Sequence, residues 1–209
     1  MKLIKSYTEI ETPLYGKTIL KFLEEIGRVA YKSEDRITKH SAEKFIKMLI
    51  DKGHESILEH YSITVRFVCD RGVSHELVRH RIASYTQESS RYCNYSKDKF
   101  GNEITYIEPV FYNDLTLDSR VSFLNALESS EEMYFRMLKY GSSPEQARAV
   151  LPNALKTEVV ATMNLRSWRH FFKLRASKFA HPDIRKLANE LLEDFKANIP
   201  VIFDDIEKE

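Results

Sequence analysis

The side chains best suited to chemistry gather in one stretch: Arg79-His80-Arg81, seven intervening residues, then Ser89-Ser90-Arg91, with Ser84, Thr86 and Gln87 in the gap. A guanidinium presents a planar fork of donors that matches phosphate or carboxylate oxygens, and hydroxyls and backbone N–H groups complete an anion cradle. Such a stretch suits a mononucleotide phosphate. The residues alone allow an equally good account, in which Arg79 and Arg81 sit at a helix C-terminus, where cations are favoured.

Arg175 is a second centre. On a helix starting near Arg166, Trp168, Phe171, Phe172 and Arg175 recur at i, i+3, i+4 and i+7, which places the arginine on an aromatic face. A buried guanidinium there requires an anionic or polar partner, either a protein carboxylate or a bound substrate. Arg166 and His170, four apart, share a different face, so one helix can serve two ligands. Arg148 has apolar neighbours in the run Ala147-Arg148-Ala149-Val150-Leu151-Pro152 and reads by itself as a snorkelling surface arginine.

Other chemistries fit less well. His75-Glu76-Leu77-Val78-Arg79-His80 resembles a zinc-protease helix, but its histidines are five apart. Five residues turn a helix by about 500°, which leaves the rings roughly 140° apart. His54 and His60 also miss the i, i+4 spacing, so no metal is expected. Cys69 follows the inward phase of a strand, and Cys93 has Arg91 nearby but no local histidine as a base. Neither a G-x-G-x-x-G nor a G-x-x-x-x-G-K loop is present, which argues against a Rossmann or phosphate-loop site. Arg79, Arg81 and Arg91 with Tyr85, Tyr92 and Tyr95 would suit a single-strand nucleic-acid binder. The formal net charge of +1 speaks against that class.

The elements that must position these residues follow from periodicity. Ile19, Leu20, Leu23, Ile26 and Ala30 predict a helix over 17–31. Ser41 is a candidate cap for a second helix burying Ala42, Phe45, Ile46, Leu49 and Ile50, with Gly53 placed to end it. Tyr61, Ile63, Val65, Phe67 and Cys69 alternate with polar residues as in a strand. A short helix over 73–81, a polar stretch, a strand over 104–108 and a long helix over 117–140 come next. Ser143-Pro144-Glu145-Gln146 has the form of a capping box with proline at the first helical position. Thr157, Val159, Ala161 and Met163 mark a strand over 155–163, followed by a helix over 166–179. The last helix starts near Pro182 and buries Ile184, Leu187, Ala188, Leu191, Leu192 and Phe195. The expected class is α+β: one domain over 1–209, with a small central sheet flanked by helices.

The 209 residues are 43% hydrophobic and 30% charged, an ordinary globular balance with no composition shift that would divide the chain. The first sixteen residues hold no apolar run suited to a signal peptide or membrane span, and two cysteines indicate no disulfide framework. A cytoplasmic protein, bound to neither membrane nor nucleic acid, is expected.

Arg79-His80-Arg81, seven intervening residues and then Ser89, in the run RHRIASYTQES, resembles the signature of the flavin-dependent thymidylate synthases. GHESILEH at 53–60, ARAVLP at 147–152, MNLRSWRHF at 163–171 and LRAS at 174–177 agree in order, extending the resemblance from about residue 20 to about 200. The resemblance implies a homotetramer with active sites shared between subunits. It implies FAD as cofactor, with NADPH and 5,10-methylenetetrahydrofolate as co-substrates, and dUMP as the methyl acceptor. By matching position, Arg79, His80 and Arg81 hold FAD, with Ser56, Gln87, Asn164, Arg166 and His170 as further flavin contacts. The dUMP site draws on Glu76, Arg79, Gln87, Glu88, Ser89, Ser90 and Arg91, with Arg148 from another subunit. Arg175 matches the arginine that meets the uracil ring and promotes its ionisation, the catalytic role. Three positions depart from the pattern. Ala30 stands where a flavin-contacting serine can occur, Phe179 where a histidine can occur, and Glu76 where a glutamine can occur.

Overall fold

The computed structural model describes residues 1–208. In chain order the elements are β1 (Lys2–Lys5), β2 (Tyr7–Ile10), α1 (Gly16–Val29), α2 (Ser41–Asp51), β3 (Ser62–Asp70), α3 (Arg71–Leu77), β4 (Ala83–Gln87), β5 (Thr105–Glu108), α4 (Leu117–Lys139), α5 (Pro144–Ala147), β6 (Lys156–Asn164), α6 (Leu165–Arg175) and α7 (Pro182–Asn198). Short 3-10 turns, including one at Glu55–His60, fill several connections. The strands form a four-stranded sheet in the order β2-β3-β6-β4 and a separate parallel pair, β1-β5. In that pair Leu3 faces Tyr106 and Ile4 faces Ile107. The class is α+β, as the patterning predicts.

Two compact units can be distinguished. The first comprises Met1–Tyr7, Phe67–Arg79 and Thr86–Val160; the second comprises Thr8–Arg66, His80–Tyr85 and 161–208. In the first, α4 closes over β5, and Tyr95, Ile104, Tyr106, Leu127, Tyr134, Ala147 and Leu155 form one core cluster. In the second, Trp168, Phe171 and Phe172 of α6 interlock with Phe195 of α7 and with Phe203, mostly edge to face at centroid distances of 5.2–5.9 Å. Trp168 donates its indole N–H to the Ile63 carbonyl at 3.0 Å, tying α6 to β3. Aromatic edge contacts of this kind add to burial.

Where periodicity is strong, expectation and structure agree. Ile63, Val65, Phe67 and Cys69 of β3, and Thr157, Val159, Ala161 and Met163 of β6, all point inward. Ser143 accepts from Gln146 N–H while the Gln146 side chain accepts from Ser143 N–H, completing the capping box. Gly53 has φ +72, with Gly53 N–H on Ile50 O and His54 N–H on Leu49 O, both at 2.8 Å. This is the Schellman arrangement that a glycine after the C-cap permits.

Four readings are corrected. Ser41 does not cap α2 but is its first residue, and its hydroxyl donates to the buried Glu24 carboxylate at 2.8 Å. α3 stops at Leu77, not 81, so Arg79 lies just past the helix end and Arg81 beyond it. α6 stops at Arg175, not 179. Finally β4 runs through the stretch that reads as merely polar, at one end of the sheet order. An edge strand with Ser84 and Thr86 exposed has no apolar alternation to announce it.

Candidate functional site

Asn164 caps the N-terminus of α6, its side chain accepting from Ser167 N–H at 2.8 Å. Its N-terminal turn borders a recess of about 200 Å³ lined by Glu59, His80, Arg81, Ile82, Asn164, Arg166, Ser167 and His170. Helix N-termini carry partial positive charge and exposed N–H donors, so this recess suits an anion. Arg166 reaches the Glu59 carboxylate at 2.6 Å, and both residues line the recess. Five of the residues expected to hold flavin, His80, Arg81, Asn164, Arg166 and His170, are thus brought together in the second unit. Ser56 is in the same unit, exposed in the 3-10 turn, and does not line the recess. Arg79 and Gln87 belong to the first unit.

His80 is the buried member of its motif, with 6% of its surface exposed. Its ring packs edge-on against Phe171 at 5.1 Å and His170 at 6.0 Å, and its backbone carbonyl accepts from the Tyr85 hydroxyl at 2.7 Å. Arg175 Nε donates to His80 Nε2 at 3.0 Å. Burial, then the neighbouring Arg175 charge, then His170, lower the His80 pKa from 6.5 to about 4, so the ring is neutral near pH 7. Burial likewise raises Tyr85 to about 12.

The expectation for Arg175 is therefore corrected in two respects. Trp168, Phe171 and Phe172 are fully buried while Arg175 is only half-buried, and an imidazole nitrogen serves as a partner. The deeply buried arginine of α6 is Arg169. It is paired with Glu55 at 3.1 Å and Asp205 at 2.6 Å, and it also donates to the Ile202 carbonyl. Burial without carboxylates would be costly for that group, and these partners supply what it needs.

A second polar patch lies in the first unit. Arg71, Ser90, Arg148, Ala149, Leu151, Pro152, Asn153 and Leu155 line a hollow of about 280 Å³. Arg148 Nη1 donates to the hydroxyl of the buried Ser90 at 3.3 Å. Arg148 and Ser90 therefore meet within one chain. Ser89 organises the same loop: its carbonyl accepts from Tyr92 N–H and Cys93 N–H, and its hydroxyl accepts from Arg91 N–H at 3.3 Å. Arg91 is exposed and pairs with Glu145 at 3.1 Å. Gln87 spends its amide nitrogen on the buried hydroxyls of Ser74 and Thr157. Glu88 is gripped by Lys156 at 3.0 Å and by the Tyr95 hydroxyl at 3.3 Å, which makes it an anchor of the loop. Glu76 is half-buried on α3, and its carbonyl accepts from Arg79 N–H.

Sequence reasoning missed Arg71, Glu59, Lys156 and Ile82. For the first three, nothing short-range distinguishes them from other surface charges. Ile82 is unusual because a β-branched residue sits at φ +63 with 81% of its surface exposed. That backbone region costs an L-residue about 1–2 kcal/mol, and such outliers concentrate where a fold serves a ligand. Of the departures, Ala30 ends α1 at an exposed position and Phe179 is almost wholly exposed after α6. Among the described residues no group of three or more His, Cys, Asp or Glu is placed to hold a metal ion. Among them, too, no helix is long and apolar enough to cross a membrane. Cys69 is buried, which pushes its thiol pKa far up, and Cys93 is raised by burial and Glu88. Neither has the low pKa of an activated thiolate.

The α+β fold thus carries a recess suited to an anion at a helix N-terminus and a Ser/Arg-lined hollow. Comparison with known proteins is specific. Residues 15–201 match the family described as thymidylate synthase complementing protein. The chain is 36% identical over 171 residues to a flavin-dependent thymidylate synthase of Pyrococcus furiosus, covering 80% of this chain and 68% of that one. It is 37% identical over 172 residues to one of Geobacter sulfurreducens, covering 82% and 72%. For one of Mycobacterium tuberculosis the identity is 34% over 210 residues, covering 92% and 80%. The crystal structure of a UMP/dUMP methylase from Streptomyces cacaoi bound with 5-Br dUMP shares the fold, with a TM-score of 0.77, 24% identity, and coverage of 98% of this chain and 96% of that one. The chain belongs to the flavin-dependent thymidylate synthase family.

Proposed function

We propose that this enzyme reductively methylates dUMP to dTMP with 5,10-methylenetetrahydrofolate as one-carbon donor, working in the cytoplasm as one functional domain within a homotetramer. The observation that carries this reading is the recess at the start of α6, where Arg81, Arg166 and His170 surround helix N–H donors and Arg175 lies at the other end of the same helix. The donor set fits a flavin dinucleotide: guanidinium groups and a helix N-terminus for the pyrophosphate, and His170 with Asn164 for polar ring edges. A recess of about 200 Å³ on one chain is smaller than the roughly 300–1,000 Å³ of an enclosing ligand pocket. That supports a site completed by a neighbouring subunit.

Arg79, His80, Arg81, Ser56, Gln87, Asn164, Arg166 and His170 are the residues we assign to FAD. Held there and reduced by NADPH, FAD would supply the hydride that completes the methyl group. Ser89, Ser90, Arg91 and Arg148 hold the dUMP phosphate, with Glu76, Arg79 and Gln87 toward the nucleoside; Glu88 supports them through Lys156. Arg175 meets negative charge on the pyrimidine with a guanidinium already oriented by the protein, the kind of preorganised donor that stabilises a transition state. Ser89 is assigned a binding role, since its hydroxyl accepts from Arg91 N–H in the turn and no histidine base is hydrogen-bonded to it among the described residues.

The purified holoprotein should be yellow with flavin absorbance, and it should oxidise NADPH faster when dUMP is present. A colourless protein that also fails to take up added FAD would overturn the assignment.

A further inference from the structure

We propose that His80 is a positioning residue for Arg175, its neutral imidazole accepting the Nε–H and thereby setting the direction of the guanidinium fork. This rests on the functional reading above for what the fork addresses. It does not follow from the motif, in which His80 counts as one of three flavin residues.

The geometry points there in three steps. First, His80 Nε2 lies 3.0 Å from Arg175 Nε, and an arginine has donors only. His80 Nε2 must therefore carry the lone pair, and the ring proton must be on Nδ1. Second, the ring is buried against Phe171 and His170, and the Tyr85 hydroxyl anchors the His80 backbone carbonyl. Third, a guanidinium is planar, so a bond at its Nε corner fixes the plane in which the two terminal nitrogens lie. A residue of the Arg-His-Arg run thus sets the residue proposed to meet the pyrimidine, across 95 positions of sequence. A protonated His80 would have two donors and no acceptor, and would repel Arg175.

Two variants test this. His80→Leu removes the acceptor and keeps an apolar side chain; His80→Gln restores a carbonyl acceptor. FAD and dUMP affinities are measured by titration, and the Arg175 Nε–H resonance is followed in protein labelled with 15N-arginine, assigned through Arg175→Lys. In His80→Leu the dUMP dissociation constant should rise about tenfold or more, as for loss of a partner to a charged donor, and by a larger factor than that for FAD, to which His80 is also assigned above. The Nε–H resonance should move. His80→Gln should recover most of the dUMP affinity. Unchanged dUMP affinity in His80→Leu would overturn the proposal, and so would FAD and dUMP affinities falling together with an unmoved Nε–H resonance. A wild type that binds FAD but no dUMP would sink the functional reading alone, because the Nε–H resonance reports the pair without any ligand.

Discussion

Replacing Arg175 with alanine removes a guanidinium held in place by His80 at 3.0 Å. Turnover should fall by a factor on the order of 10² or more, the usual cost of losing a preorganised charge-stabilising donor. Flavin content should change little, since Arg81, Arg166 and His170 around the recess are left intact. Arg175→Lys should rescue poorly, because an ammonium lacks the planar fork and the Nε–H that His80 receives. Steady-state rates and the flavin absorbance of the same preparations decide it; a folded, FAD-loaded Arg175→Ala enzyme with near-normal turnover would reduce Arg175 to a structural partner. His80 adds a pH signature. Its pKa in the folded chain is about 4, below the ordinary 6.5, so between these values the unfolded chain binds more protons. Its contribution is fully present above pH 6.5 and is lost as pH falls toward 4, by up to roughly 3 kcal/mol for a shift of this size. Urea unfolding of the apoprotein across that window should show a slope that His80→Gln flattens; burial first, then the neighbouring Arg175 and His170, set it.

At the scale of elements, the helix ends position the chemistry. α6 offers its N-terminus to the recess and its last residue to His80, so one eleven-residue helix serves both sets of residues. The early stop of α3 matters as much. Continued to 81, a helix would carry Arg79, His80 and Arg81 round its axis at about 100° per residue; instead the chain turns through Ile82 at φ +63 and enters β4. The glycine that ends α2 gives a clean test of backbone conformation. A Cβ at Gly53 would meet nothing within 4 Å, so Gly53→Ala probes the cost of φ +72 alone. It should destabilise the protein by about 1–2 kcal/mol, which for a chain of this length lowers Tm by a few degrees. Activity at 25 °C should be unchanged. An unaltered Tm would mean that the turn relaxes to another conformation.

At the scale of the whole molecule, Arg148 with Ser90 belongs to the first unit and Arg175 with His80 to the second. If active sites are shared between subunits, with Arg148 from one chain and Arg175 from another, mixing inactive Arg148→Ala and Arg175→Ala proteins should restore part of the activity. In each mixed pair one site then regains both native residues while the other loses both. Mixed oligomers demonstrated by mass spectrometry, yet without rescue, would place both residues of a working site on one chain.

What the sequence determined by itself is what short-range rules govern. The period-2 alternation of β3 and β6, the 3.6-residue apolar stripe of α7, the Ser143 capping box and the Gly53 stop depend on residues within a turn or two of each other, and all are found as read. The signature residues were legible for the same reason, since their spacing is itself a sequence property. Tertiary structure alone decided who meets whom. Ser90 and Arg148 are 58 residues apart, and His80 and Arg175 are 95. Arg169, paired with carboxylates, took the buried position that the pattern gave to Arg175. The reason is physical: helical spacing tells which residues share a face, but which face is buried and which partner waits there depends on packing between remote segments.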